Sequence, residues 1–231
     1  MIDIIRISAS RPDLLTKSTE SMIKNIKYSG ELRYHLHEDV LNSRLSDECL
    51  KYANESKVFT TIYSDNPPIG QGPSLSMMLD NVASEYVIHW EDDYELIQPL
   101  DLDMVVKILD ENKDVNQICF HKRRIMKEKP GYVKIQVERS GVELTTNPHW
   151  AFMPAIWRMS YIMPKWKSFP MNIHWEMNHI LKGGKNIENI DCNWVIKNTG
   201  TYYLGAIGHG HYTNHIGFER SLREGEEQKK W

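Results

Sequence analysis

The stretch YVIHWEDDYEL, residues 86–96, sets an apolar strand directly against acid. Tyr86, Val87, Ile88 and Trp90 read as a buried strand, and Glu91, Asp92 and Asp93 follow at once. Carboxylates this close repel, and burying each without a partner costs roughly several kcal/mol. A strand that delivers them to one place therefore needs a positive partner there, or open water.

Working outward from this strand, the chain alternates. Residues 2–7, IDIIRI, read as a strand, SASRPD as a loop, and 13–27 as a helix whose apolar positions are Leu14, Leu15, Met22, Ile23 and Ile26, with Asp13 as its cap. ELRYHLHED reads as a second strand ending in acids. SDECLKYANES reads as a short helix capped by Ser46 or Asp47, and VFTTIYS as a third strand. DNPPIGQGP is a loop, and SLSMMLDNVAS is a helix with Leu75, Met78, Leu79 and Val82 on one face. Such β-α-β-α-β-α-β order predicts a mostly parallel sheet with helices on its faces. Ligands of open sheets of this kind bind beyond the carboxyl ends of the strands. The polar stretches Ser8 to Arg11, Glu38–Asp39, Asp65 to Gly72 and Glu91 to Asp93 all follow strands, so they are expected to gather on one rim.

Beyond residue 100 the composition shifts. Residues 101–113 read as a helix, NQICFHKRR as a strand ending in cations, and YVKIQVERSGVELTTN as a hairpin around Ser140–Gly141. Residues 148–175 hold four tryptophans, four methionines and four prolines, material for a core or for stacking sugars and bases. EMNHILKGG reads as a short helix stopped by Gly183.

With 231 residues, 41% of them hydrophobic, the chain has ample apolar material for a sizeable core. A net charge of -3 supplies no global basic field for nucleic acid, although a local basic groove stays open. Cys49, Cys119 and Cys192 form no CxxC pair and suggest neither a zinc ribbon nor a disulfide framework. No apolar run approaches the roughly 20 residues that span a bilayer, and the start MIDIIRISASRPD does not read as a signal peptide. We expect a cytoplasmic protein without membrane insertion.

Two groups of residues suit a metal. Hard carboxylate oxygens at Glu91–Asp93 suit Mg²⁺ or Mn²⁺, which take one or two carboxylates plus substrate phosphates. The bland alternative is a solvated turn. His209, His211 and His215 crowd into GHGHYTNHIG, and imidazole is a common metal ligand. The alternative there is solvent exposure or a core hydrogen bond.

EDD after an apolar strand resembles the DxD-type motif of nucleotide-sugar glycosyltransferases with the GT-A fold. ISASRPDLLTKSTESM resembles the opening strand, Arg-containing loop and first helix of family-2-like members. GQGPSLSMMLDNVASEYVIHWEDD resembles their Gly-containing loop, helix and acid-bearing strand. The likeness covers residues 2 to 95. It implies a GT-A-like (Rossmann-like) α/β fold with a mixed, mostly parallel sheet flanked by helices and an aromatic-rich acceptor-binding half. A single domain 1–231 would divide into a nucleotide-sugar half (1–100), an acceptor half (101–200) and a C-terminal metal or diphosphate loop and tail (201–231).

By the same resemblance, Asp93 is the metal ligand, with His215 and then His211 the histidines that complete the shell. Asp39 would accept a hydrogen bond from base or ribose. Ser8, Ser10, Arg11 and Gln71 would line the nucleotide. The first acid is Glu91 where the motif has Asp, so the ribose or a metal-bound water falls to either Glu91 or Asp92. Glu176, opening the helix after Trp175, takes the place of the catalytic base of inverting members, with His174 and His179 as rivals; a simple helix-terminus carboxylate is the alternative. Arg11 could equally be a surface cation, and Arg220 and Arg223 either phosphate contacts or a solvated tail.

The implied activity is transfer of a sugar from a nucleotide diphosphate sugar, UDP-linked by preference, to an acceptor hydroxyl, with Mn²⁺ or Mg²⁺ and with inversion. The acceptor is either a glycan or a hydroxymethylated base of modified DNA, for which the cationic run 120–129 would be a contact. A non-catalytic nucleotide-sugar-binding module is the rival from another class. A nucleotidyltransferase is disfavoured, because SASRPD lacks the glycines of its phosphate loop.

Overall fold

The computed structural model describes residues 1–121, 135–146, 150–166, 199–207 and 209–217. β1 (Ile2–Ser8), α1 (Pro12–Asn25), the short β2 (Ile26–Lys27), β3 (Leu32–Asp39), α2 (Ser43–Ser56), β4 (Phe59–Asp65), α3 (Gln71–Asn81) and β5 (Tyr86–Glu91) realise the alternation. β6 (Tyr94–Leu96), β7 (Leu100–Asp101), α4 (Leu102–Glu111), β8 (Gln117–Cys119), β9 (Gln136–Arg139), β10 (Val142–Thr146), β11 (Ala155–Arg158), α5 (Met159–Trp166), β12 (Thr201–Leu204) and β13 (Thr213–His215) follow.

A nine-stranded sheet runs in the order β4-β3-β1-β5-β11-β8-β12-β10-β9. β4, β3, β1 and β5 are parallel, so their carboxyl ends share one rim. β11 then runs antiparallel to β5, pairing Ile156 with Ile88, and carries the sheet into the second half of the chain. The change of composition near residue 100 is therefore no break in the sheet. What changes is strand direction: β8 and β12 are parallel, and β10 and β9 close the sheet antiparallel.

All seven residues of β1 are buried, as a central strand covered on both faces requires. On one face Ile2, Ile4, Ile88 and Trp90 pack with Met22 of α1 and Val105, Ile108 and Leu109 of α4. On the other, Ile5, Ile7 and Val87 meet Leu75, Met78 and Leu79 of α3 together with Trp150, Trp157 and Trp166. Three of the four tryptophans in the aromatic stretch thus fill core; Trp175 lies outside the described residues.

Local chemistry moves several boundaries. α1 starts with Pro12 in its first turn, and Asp13 sits inside that turn rather than capping it. α2 starts at Ser43 because Asn42, not Ser46 or Asp47, caps it, accepting from the Leu45 N–H at 3.1 Å. α3 begins at Gln71 and stops at Asn81, earlier at both ends than its apolar spacing suggests. The hairpin forms at Ser140–Gly141, both with positive φ. Helix 176–184 lies outside the described residues, and among those described no helix is long and apolar enough to cross a membrane.

At the opposite rim, Asp3 is fully buried and ties three elements. Its carboxylate accepts from Arg33 Nη2 at 2.9 Å and from Ser84 Oγ at 2.8 Å, and His35 Nε2 lies 2.8 Å away. Burial favours the neutral acid, but His35, Ser84 and Arg33 outweigh it and hold the carboxyl at about 2. A depressed carboxylate adds stability that is present above its unfolded value and is lost as pH falls through its folded value. Chemical denaturation at pH 7, 4 and 2.5 should show about 2 kcal/mol lost over this acid range. Asp3→Asn should lack that arm and be less stable at pH 7.

Candidate active site

The parallel strands end in loops that bond to one another. After β1, Ser10 adopts the left-handed conformation, φ 58°. Its N–H donates to Glu38 Oε1 at 2.7 Å, and its Oγ accepts from the N–H groups of Leu41 (3.0 Å) and Asn42 (2.8 Å). Ser46 Oγ donates to the same Glu38 oxygen at 2.6 Å. Ser8 is fully buried beside this network. Ser8 and Ser10 therefore shape the loop that presents Arg11, a use of these hydroxyls different from the expected lining of a nucleotide. Asp39 likewise turns to the backbone: Oδ1 accepts from Ile69 N–H at 2.7 Å and Oδ2 from Gly70 N–H at 3.0 Å. It thereby pins the loop that opens α3, where Gly70 takes φ 83°, a conformation that favours glycine.

At the acid triplet the positive partner is Arg11. Its Nε donates to Asp92 Oδ2 at 3.0 Å, its Nη2 grips Asp92 Oδ1, and its Nη1 reaches Asp93 Oδ2 at 3.3 Å. The fork is bidentate on Asp92, a geometry suited to guanidinium. Below lies a second arginine, Arg6, fully buried and held by Thr19 Oγ1 (2.7 Å) and Ser18 Oγ (2.8 Å) of α1. Burial pushes the Asp92 carboxyl up to about 6 against the pull of Arg11 and, more distantly, Arg6. Asp92 is turned fully inward, so of the two candidates for ribose or water it is Glu91 that faces the rim. Gln71 Nε2 donates to Glu91 Oε1 at 3.2 Å. Burial, then the negative charges of Asp93 and Asp92, raise Glu91 well above the usual carboxylate range.

Asp93 has a different environment. Burial works against its charge, but the His215 ring and the Arg11 guanidinium hold its carboxyl below the usual range. His215 Nε2 lies 3.3 Å from Asp93 Oδ2, and Asp93 Oδ1 is buried without a hydrogen-bond partner among the described residues. β13 brings His215 there by pairing antiparallel with β6, His215 opposite Tyr94. Ile216 N–H then donates to the Asp93 carbonyl at 2.7 Å. A side chain on Gly217 would place its Cβ 2.5 Å from Asp93 Cβ and 2.8 Å from Oδ2, so only glycine lets this segment close over the acid. The His211 ring stacks on His121 at 5.0 Å, and His121 in turn meets Tyr94 at 5.1 Å, the ring that also packs against His215.

The donor set fits a hard divalent cation. A buried carboxylate oxygen without a partner and an imidazole beside its twin supply mixed O/N ligation. Among the described residues no group of three or more His, Cys, Asp or Glu forms a cage. A two-residue site suits Mg²⁺ or Mn²⁺, which retain water and take phosphate oxygens from a substrate.

Arg6, Gly217 and Tyr94 were not among the candidates read from the sequence, and Glu38 was read only as one of the polar residues expected on the rim. An arginine inside the apolar run IDIIRI and the second acid beside Asp39 were the available signals. Glu176, His174, His179, Arg220, Arg223 and residues 122–129 of the cationic run lie outside the described residues.

No protein-family model matches this chain, and no curated protein does. Solved structures do match in fold. GalNAc-T7 with UDP, GalNAc and Mn²⁺ aligns at a TM-score of 0.60 and 8% identity, over 88% of this chain and 42% of that one. The mannosyltransferase PcManGT from Pyrobaculum calidifontis, in complex with GDP-Man and Mn²⁺, aligns at 0.57 and 9% identity, over 91% and 58%. The bifunctional IspDF from Campylobacter jejuni aligns at 0.50 and 10% identity, over 96% and 53%. This chain thus spans about half the length of these proteins, and what it shares with the first two is the GT-A-type α/β fold.

Gly217→Ala should displace Asp93 or lift the 213–217 segment off it. By calorimetric titration, Mn²⁺ affinity should fall about tenfold, the equivalent of roughly 1.4 kcal/mol of overpacking. Unchanged affinity would mean that the segment is not part of the cation site.

Proposed function

We propose that this chain transfers a sugar from a nucleotide diphosphate sugar to an acceptor hydroxyl, with a divalent cation held by Asp93 and His215. The observation that carries the reading is the Asp93 carboxylate at the carboxyl rim of the parallel strands: one oxygen buried without a hydrogen-bond partner among the described residues, the other beside His215 Nε2 at 3.3 Å. The GT-A-type fold and the Mn²⁺ and nucleotide-diphosphate ligands named for PcManGT and GalNAc-T7 support it.

The cation, when bound, neutralises charge developing on the departing diphosphate. The chain's own residues do the rest. Arg11 stands beside the cation ligand with its guanidinium on the rim, in reach of a phosphate. Asp39 holds the Ile69–Gly70 backbone, which in this reading would face the nucleoside. Glu91, partly exposed next to Gln71, offers its carboxyl group to the ribose or to a metal-bound water. Glu176 is the base we assign for deprotonating the acceptor, on its place in the sequence alone, and inversion follows from that assignment. We favour a UDP-linked donor and either a glycan or a hydroxymethylated DNA base as acceptor. Gel shift on such DNA that weakens steeply with salt would select the second.

A thermal-shift screen of nucleotide sugars with and without Mn²⁺ tests the reading, since a ligand that binds only the folded state raises the melting temperature. One nucleotide sugar should raise it in a Mn²⁺-dependent way, and Asp93→Ala should abolish that dependence. Glu176→Gln should keep donor binding and lose transfer. Donor binding by the wild-type chain without release of nucleoside diphosphate, whatever acceptor is supplied, would favour the non-catalytic binding module.

A further inference from the structure

Arg11 makes two unequal contacts. Its Nε and Nη2 grip both oxygens of Asp92, which has no solvent exposure, while Nη1 reaches Asp93 Oδ2 at the longer distance of 3.3 Å. The Asp92 limb is an anchor. The Asp93 limb lies at the partly open edge, where the arginine side chain is 24% exposed. Asp93 Oδ2 is also the oxygen that faces His215, so the guanidinium sits on the atom where the proposed cation would share its charge.

We infer that Arg11 is a built-in counter-ion that competes with the divalent cation for Asp93 and is handed to the donor's diphosphate once the cation binds. The inference rests on the proposed cation site at Asp93. Without a cation, three neighbouring acids need positive charge, and the arginine supplies it. A divalent cation on Asp93 brings two like-charged centres within a few ångströms at a low-dielectric rim, where their repulsion is strong. Asp92 keeps the guanidinium from leaving. The two positive centres become compatible only when an anion lies between them, and a diphosphate provides that anion in bidentate form. Cation and donor therefore bind cooperatively, each raising the affinity for the other by the same factor. The same arginine opposes the cation alone and assists the pair.

These opposite signs make the test. Mn²⁺ binding is measured by calorimetry on the full chain, alone and in the presence of saturating UDP, for the wild type and Arg11→Gln. Arg11→Gln should bind Mn²⁺ alone about tenfold more tightly than the wild type, yet bind UDP with Mn²⁺ more weakly. Equal or weaker Mn²⁺ binding by Arg11→Gln overturns the inference while leaving the cation site standing. No Mn²⁺ binding by either protein, with or without UDP, overturns the inference and the cation site together. A measurement on the wild type covers a variant that fails to fold. The ¹⁵N signal of the Arg11 Nε–H, assigned by its loss in Arg11→Lys, should shift when Mg²⁺ is added and should not shift in Asp93→Asn. A signal indifferent to Mg²⁺ in the wild type also overturns the inference.

Discussion

Three acids at the end of one strand impose the constraint around which this rim is built. Glu91, Asp92 and Asp93 crowd at the end of β5, and Asp92 is wholly buried. Uncompensated, that charge would oppose folding, because a carboxylate removed from water must find charge or hydrogen bonds in return. The fold meets the demand unevenly. Asp92 receives a bidentate guanidinium with a second arginine below it. Asp93 receives an imidazole and the loose edge of the same guanidinium. Glu91 receives the Gln71 amide and, at longer range, the Arg11 charge, and stays at the edge. One triplet thereby acquires three roles: an anchor, a ligand and a rim acid.

Holding that arrangement requires support outside the triplet. Glu38 spends its one bonded oxygen on the Ser10 N–H and on Ser46, and so fixes the turn that throws Arg11 across to β5. Asp39, the next residue, reaches the other way and fixes the Ile69–Gly70 loop. Successive residues at a strand end point to opposite faces, which is how adjacent acids brace two different loops. From above, the Thr213–Gly217 segment closes on Asp93 through main-chain bonds and a contact that only glycine permits. The loops around the acids are braced by main-chain hydrogen bonds, so part of what places the triplet lies outside it.

The described residues of the second half continue the sheet with β11, β8, β12, β10 and β9 and help fill its core. Of these, Trp150, Trp157 and Trp166 pack in one cluster with α3, and Trp157 stacks on His89 at 5.0 Å. His89 is wholly buried, and burial lowers its imidazole to about 4, so it stays neutral next to the acid end of its own strand. A neutral ring at that depth adds aromatic packing without adding charge to a rim already crowded with it.

Much of the first half was legible residue by residue. The βα alternation, the parallel sheet and the gathering of the polar strand ends follow from periodicities of 2.0 and 3.6 and from the carboxyl-end rule, and these are local properties of the chain. The acid triplet and the three histidines stood out as unusual compositions, and the resemblance to GT-A enzymes singled out Asp93 and His215 among them. The sequence alone left open which charge answers which. Arg11 and Asp92 are 81 residues apart, and only the order β3-β1-β5 makes their loops neighbours. His215 rather than His211 reaches the acid because β13 pairs in one register with β6, and a shift of one residue would turn it away. Local pattern sets what each element is and which face it buries; pairings of charge across the sheet depend on strand order and register, which only the packed structure decides.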